Sequence, residues 1–177
     1  MLRVAIVGTS CSGKTTLART IADANGIIHI ELDAIHWRPN WTPMPIHEFR
    51  EAVEAEVARD EWVMDGNYSE VRDIIWARAT HLVWLNIPFL TVFWRAISRT
   101  LKRVVTREEL FSGNRETLRL AFFHRDSIPC WVIRTYHRRI REYRKLIVDG
   151  HYPHLKVLEV RNSADAKGML LKLTDAG

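Results

Sequence analysis

Cysteine is scarce in this chain of 177 residues: there are two, Cys11 and Cys130, far apart and in no C-x-x-C pattern. That excludes a disulfide scaffold and a cysteine-built zinc site, and leads us to expect reduced thiols in a cytoplasmic setting. No apolar run approaches the roughly 18 residues a membrane span requires, so no membrane partner is expected. The opening "MLRVAIVG" is followed by no small-residue cleavage site and reads as a buried strand, not a secretion signal. Internal repeats and low-complexity segments are absent, which leaves one ordinary globular domain over 1–177. Acidic residues are also thin in the second half. Residues 1–87 hold 8 Lys/Arg and 12 Asp/Glu, whereas residues 88–177 hold 18 and 9. The basic excess predicts that the second half meets something anionic, a nucleotide or a nucleic acid.

What is present is an alternation of strand and helix. Short apolar runs at 2–8, 27–32, 61–65, 81–87 and 156–160 read as strands. Helices are expected at 14–25, 46–60, 70–78, from Pro88 to about 105, 131–148 and 164–173, with 38–45 as a proline-rich loop. Five strands interleaved with helices predict an α/β fold, a parallel sheet covered on both faces.

The first strand runs into Gly8-Thr9-Ser10-Cys11-Ser12-Gly13-Lys14-Thr15, a full G-x-x-x-x-G-K-[ST] phosphate loop between a strand and a helix. Gly8 and Gly13 allow a tight turn whose N–H groups face inward as an anion nest, and the following helix points its positive end at the same place. Lys14 would reach the β- and γ-phosphates of ATP and Thr15 would ligate Mg²⁺; Thr16 is a further hydroxyl for this site, or a packing residue. Ligands of such sheets sit beyond the carboxyl ends of the strands. Asp33 and Asp65 follow the second and third strands, where a carboxylate can hold Mg²⁺ through water or take a proton from an attacking hydroxyl. Turn formation is the alternative reading for both. His36, Trp37, Arg38 and Trp41 either line an acceptor pocket or pack under the proline-rich loop.

From Pro88, Leu90, Phe93, Trp94, Ile97, Leu101 and Val104 form one apolar arc, with Arg95, Arg99, Lys102 and Arg103 opposite. The helix leads into an irregular segment with Arg107, Arg115, Arg119 and Arg125, the place for an arginine-bearing lid over about 105–130. A second basic row, Arg134, Arg138, Arg141 and Lys145, is either a solvated helix face or a nucleic-acid surface.

The phosphate loop, "LD" after the second strand, "WRPNW" and "WVMDGNYS" together resemble the bacterial DNA topology modulation proteins, P-loop proteins related to adenylate kinases. The resemblance covers roughly residues 1–120. It implies an adenylate-kinase-like P-loop NTPase with a five-stranded core and an Arg-rich lid. By that resemblance Pro88 is followed by Arg95 toward adenine and Arg99 toward phosphate. The loop Arg161-Asn162-Ser163 would border the adenine ring, or Asn162 or Ser163 simply caps the closing helix. The sequence departs from adenylate kinases at Asp65-Gly66-Asn67-Tyr68-Ser69, where a Pro-Arg pair is missing and Arg72 is the nearest basic residue, and at His36, where an arginine is expected. Both missing arginines would grip AMP phosphate, which argues against AMP as acceptor. The expectation is thus an ATP-Mg²⁺ phosphotransferase with Lys14, Asp33, Asp65 and Arg99 at the chemistry. The acceptor is unidentified and would lie near His36, Trp37, Arg38, Tyr68, Arg72 and Arg103. The alternative is an ATP-gated nucleic-acid-binding regulator with little turnover.

Overall fold

The computed structural model describes residues 1–106, 112 and 127–174. The lid expected over about 105–130, with Arg107, Arg115, Arg119 and Arg125, lies almost entirely outside the described residues.

Strand β1 (Arg3–Gly8) passes through the phosphate loop into helix α1 (Lys14–Asn25), which stops at Gly26 in the left-handed conformation. Strand β2 (Ile28–Glu31) runs straight into one helical turn, α2 (Leu32–His36). A small hairpin follows, β3 (Trp37–Arg38) and β4 (Thr42–Pro43), around a 3₁₀ turn at Pro39–Trp41. Helix α3 (Ile46–Val57) leads to β5 (Trp62–Asp65), a 3₁₀ turn at Ser69–Val71, α4 (Arg72–Arg78) and β6 (His81–Leu85). Long helices α5 (Phe89–Thr106) and α6 (Ile128–Val148) pack on each other before β7 (Lys156–Val160) and α7 (Ser163–Thr174).

The five long strands form one parallel sheet in the order β2-β5-β1-β6-β7. Central β1, β5 and β6 are buried almost throughout, the pattern of strands covered on both faces. One core joins that sheet to α1 and α5 through Leu17, Ile21, Val92 and Ala96; the other joins it to α3, α4 and α6 through Phe49, Val53, Trp76 and Tyr143. Phe49 and Trp62 are 1% and 0% exposed, each such side chain contributing about 1.5–3 kcal/mol of burial. Register brings Glu31, Asp65 and Ile6 level across β2, β5 and β1, so the carboxyl ends line up beside the phosphate loop.

Three local expectations change. The segment 38–45 is not all loop but carries the β3–β4 pair. Helix α6 begins at Ile128 because Pro129 falls in its first turn, where a missing N–H costs nothing. Helix α5 buries only part of the apolar arc read from its sequence: Phe93 packs half-buried on the core, but Leu90 and Trp94 are 77% and 69% exposed, and the smaller Val92, Ala96 and Thr100 are the residues buried there.

Candidate functional site: a phosphate loop flanked by carboxylates

The phosphate loop is shaped by backbone that ordinary residues avoid. Gly8 has φ 155° and abuts β6: a Cβ there would lie 2.8 Å from the Leu85 carbonyl oxygen and 2.9 Å from Ser12 Oγ. Gly13, at φ 102°, is the residue from which α1 starts, and Cys11 takes φ 62° within the loop. The hydroxyls of Thr9 and Ser12 are buried with no hydrogen-bond partner among the described residues. Orphaned donors are uncommon in native structures, and each calls for an explanation. Lys14 curls back to donate to the carbonyls of Gly8 (3.2 Å) and Thr9 (3.0 Å). Its ammonium pKa is lowered by desolvation, opposed by the negative charges of Asp65 and Asp33. The loop therefore places a desolvated cation and unpaired donors where a polyphosphate can satisfy them.

Beside Lys14 lies a group of acids. Asp65, 3% exposed, accepts the Thr15 hydroxyl on Oδ2 at 2.8 Å and meets His29 Nε2 on Oδ1 at 2.8 Å. Thr15 also approaches Glu31 Oε1 at 3.4 Å. Burial raises the Glu31 pKa, and the charges of Asp65 and Asp33 raise it further. Among the described residues no three or more His, Cys, Asp or Glu side chains are arranged to hold a metal ion by themselves. The set is an oxygen-rich half-site, and it fits Mg²⁺, which takes one or two protein oxygens and completes its shell with phosphate oxygens and water.

Asp33 sits in the first turn of α2, not in a free loop, and accepts the Tyr68 hydroxyl at 2.6 Å. Tyr68 has its pKa driven strongly up by burial, then by the neighbouring Asp33 charge. The His36 ring lies 4.5 Å from that of Tyr68 and 5.0 Å from Phe49, and burial lowers its pKa against the pull of Asp33. His36, Trp37 and Tyr68 thus form an aromatic wall around the Asp33 carboxylate.

Two connections were not foreseen from the sequence. Asn67 exchanges hydrogen bonds with the backbone of Gly8 and accepts the Tyr143 hydroxyl at 2.8 Å, tying α6 to the phosphate loop. Arg139, also on α6, donates to the Asn67 carbonyl at 3.3 Å. Its Nε is buried without a hydrogen-bond partner among the described residues, and its charge is close enough to lower the pKa of Lys14. A lone arginine within a basic helix carries no periodic signal that would separate it from Arg138. His29 and Glu31 were legible as polar residues inside an apolar strand, the one hint available.

With this geometry in place, comparison with known proteins adds the following. No family model matches the chain, and no curated protein matches it. Among solved structures it resembles a shikimate kinase from Bacteroides thetaiotaomicron, at 12% identity and a TM-score of 0.58 over 99% of this chain and 97% of that one. It also resembles a gluconokinase from Sinorhizobium meliloti 1021, at 17% identity and a TM-score of 0.55 over 99% and 94%. The fold is the one these two structures share. Identities this low speak to the architecture and leave the acceptor open.

The other expected site residues divide. Arg95 reaches the loop, donating from Nη1 to the Ser12 carbonyl at 2.9 Å. Arg99 lies one turn further on, exposed, and Arg103 is half-buried on the same helix. Thr16 is exposed on the first turn of α1, and Ser10 is half-buried in the loop. Arg38 pairs with Glu48. Arg72 pairs with Glu142 at 2.6 Å and lies over the rings of Trp76 and Tyr143, in the wall of a small pocket with Asn67 and Tyr68. Arg161 is exposed and paired with Glu159 at 2.7 Å, while Asn162 caps α7 through the Asp165 N–H at 2.9 Å. Arg138, Arg141 and Lys145 are exposed on α6, and Arg134 lies over Trp131. No helix among the described residues is long and apolar enough to cross a membrane. Cys11 and Cys130 form no disulfide.

Proposed function

We propose that this protein is an ATP-dependent phosphotransferase that passes the γ-phosphoryl group to a hydroxyl of a small acceptor. The observation that carries the reading is the pair of carboxylates facing Lys14, one tied to Thr15 and the other to Tyr68. In this reading the Thr9 to Thr15 backbone and the orphaned hydroxyls hold the polyphosphate, with Lys14 turning from the Gly8 and Thr9 carbonyls to the β- and γ-oxygens. Arg95 closes over the nucleotide side, and Arg99 is carried by the same helix toward the transferring group. Thr15 and Asp65 would hold Mg²⁺. Bound there, the ion supplies charge neutralisation of the phosphate oxygens. Asp33 receives the proton of the acceptor hydroxyl as its oxygen takes the phosphoryl group and ADP leaves. His36, Trp37 and Tyr68 exclude water around that step, and Arg139 offers its guanidinium to an anionic part of the acceptor. The fold shared with proteins named as a gluconokinase and a shikimate kinase supports a small-molecule acceptor over a nucleotide.

The test is Asp33→Asn. Acceptor-dependent ADP formation should fall by about 10²-fold or more while ATP-Mg²⁺ affinity stays within about twofold, the pattern of a lost general base. Unchanged turnover would remove Asp33 from the chemistry.

A second reading, an ATP-gated nucleic-acid binder, rests on one observation: Arg138, Arg141 and Lys145 form an exposed basic row that the phosphate site does not use. The resemblance to the DNA topology modulation proteins also bears on this reading.

A further inference from the structure

Strand β2 is an edge strand packed against α1, and its inward residues should be apolar there. Ile30 fills the opposite face, 6% exposed. On the α1 side stand His29 and Glu31. His29 is 14% exposed at its side chain and spends its one observed ring contact, Nε2 at 2.8 Å, on Oδ1 of Asp65. An ionised carboxylate only accepts, so the proton of this bond is on Nε2. The other oxygen, Oδ2, takes the Thr15 hydroxyl at 2.8 Å.

We infer that His29 is a positioning residue that locks the rotation of the Asp65 carboxylate, so that Oδ2 faces Thr15 and the cation side of the phosphate loop. The terminal torsion of an aspartate is broad, so a carboxylate held at one oxygen can still swing about that contact. A second donor on the other oxygen narrows the torsion and fixes the plane of the group. Thr15 belongs to the helix that follows the phosphate loop, and His29 belongs to the sheet; the second bond keeps Asp65 aimed whether or not Thr15 releases its hydrogen bond to coordinate the ion. Hydrogen-bonded carboxylates of this kind behave as outer-shell determinants of metal affinity, with losses of roughly 10–100-fold when the supporting group is removed. A plain packing role for His29 predicts lost stability with no preference for metal.

The inference rests on the phosphotransferase reading, and the experiment separates the two. Mn²⁺ binding to the protein–ADP complex is measured by electron paramagnetic resonance, and ADP binding in EDTA by calorimetry. Three variants are compared: His29→Phe, which keeps a ring without N–H; His29→Gln, whose amide reaches the same point; and His29→Asn, which is too short. The expected result is Mn²⁺ affinity weaker by roughly 10–100-fold in His29→Phe and His29→Asn, near wild type in His29→Gln, with ADP affinity in EDTA unchanged in all three. Equal Mn²⁺ affinity across the variants overturns the inference, and so does an equal loss with and without metal. If His29→Phe fails to fold, His29→Asn against His29→Gln decides by the same criteria. A wild-type protein that binds neither ADP nor Mn²⁺–ADP contradicts the proposed function itself.

Discussion

Substituting Gly66 should be among the most damaging single-methyl changes in this protein, and its effect follows from the surroundings of that residue. Gly66 follows Asp65 at φ 155°, a backbone region that side chains avoid. Its N–H donates to the Ile6 carbonyl at 3.3 Å, so the backbone cannot drift without breaking a bond to β1. A Cβ would fall 2.6 Å from Leu32 Cδ1 and 2.7 Å from Leu32 Cβ. The second approach decides the matter, because Leu32 Cβ is fixed to the backbone of α2 and cannot swing aside. Backbone strain costs about 1–3 kcal/mol and overpacking about 1–3 kcal/mol. Gly66→Ala should therefore destabilise by roughly 2–6 kcal/mol, or roughly 5–20 °C in Tm for a chain of this size. Gly26→Ala is the control: it also has positive φ, 66°, but nothing lies within 4 Å of its added Cβ. It should cost only about 1–2 kcal/mol of backbone strain. Thermal melts of both variants followed by circular dichroism separate the packing cost from the strain. Equal shifts, or a smaller shift for Gly66→Ala, would refute the close approach of Gly66 to Leu32.

The other expectations concern the site. Glu31 has its pKa raised above the ordinary 4.5 by burial and by its acidic neighbours. The folded state then holds a proton that the unfolded state has released, so stability falls as pH rises through that window and stays lower at neutral pH. Glu31→Gln should accordingly melt higher than wild type at pH 7 without nucleotide, the gain vanishing below about pH 4; a gain independent of pH would contradict it. Arg99→Ala should cost on the order of 10³-fold in turnover if this arginine reaches the transferring group. Full activity would leave it a solvated side chain. Replacing Arg138 and Arg141 together should leave small-acceptor turnover within about twofold. If the protein is instead a nucleic-acid binder, the double variant flattens the log–log salt dependence of duplex affinity by roughly one unit for each phosphate it no longer neutralises.

The phosphate loop, the five parallel strands and the positions of Asp33 and Asp65 at their ends were legible because each rests on local pattern: glycine spacing, apolar runs and the rule that ligands sit beyond strand ends. The environment of those aspartates was not. That Asp65 leans on His29, and Asp33 on Tyr68, depends on hydrogen bonds across 36 and 35 positions of sequence. Helix α5 shows the opposite failure. One edge of its apolar arc, Leu90, Trp94 and Leu101, faces outward while Phe93 packs on the core, because periodicity identifies an amphipathic helix without saying which part of the arc the sheet accepts. Asn67 and Arg139 were invisible for a simpler reason: nothing in a single asparagine or one arginine among many signals that it joins α6 to the phosphate loop.

The central claim, phosphoryl transfer from ATP at the Lys14 loop, is tested most directly with γ-labelled ATP and Mg²⁺. Wild type and Lys14→Ala are incubated in parallel with pools of sugars and hydroxy acids, nucleosides, nucleotides and DNA ends. The account predicts label transfer to a small hydroxyl-bearing acceptor by wild type and its loss in a folded Lys14→Ala. Transfer that survives in Lys14→Ala, or no transfer to any pool by a wild-type protein that binds ATP, would contradict it.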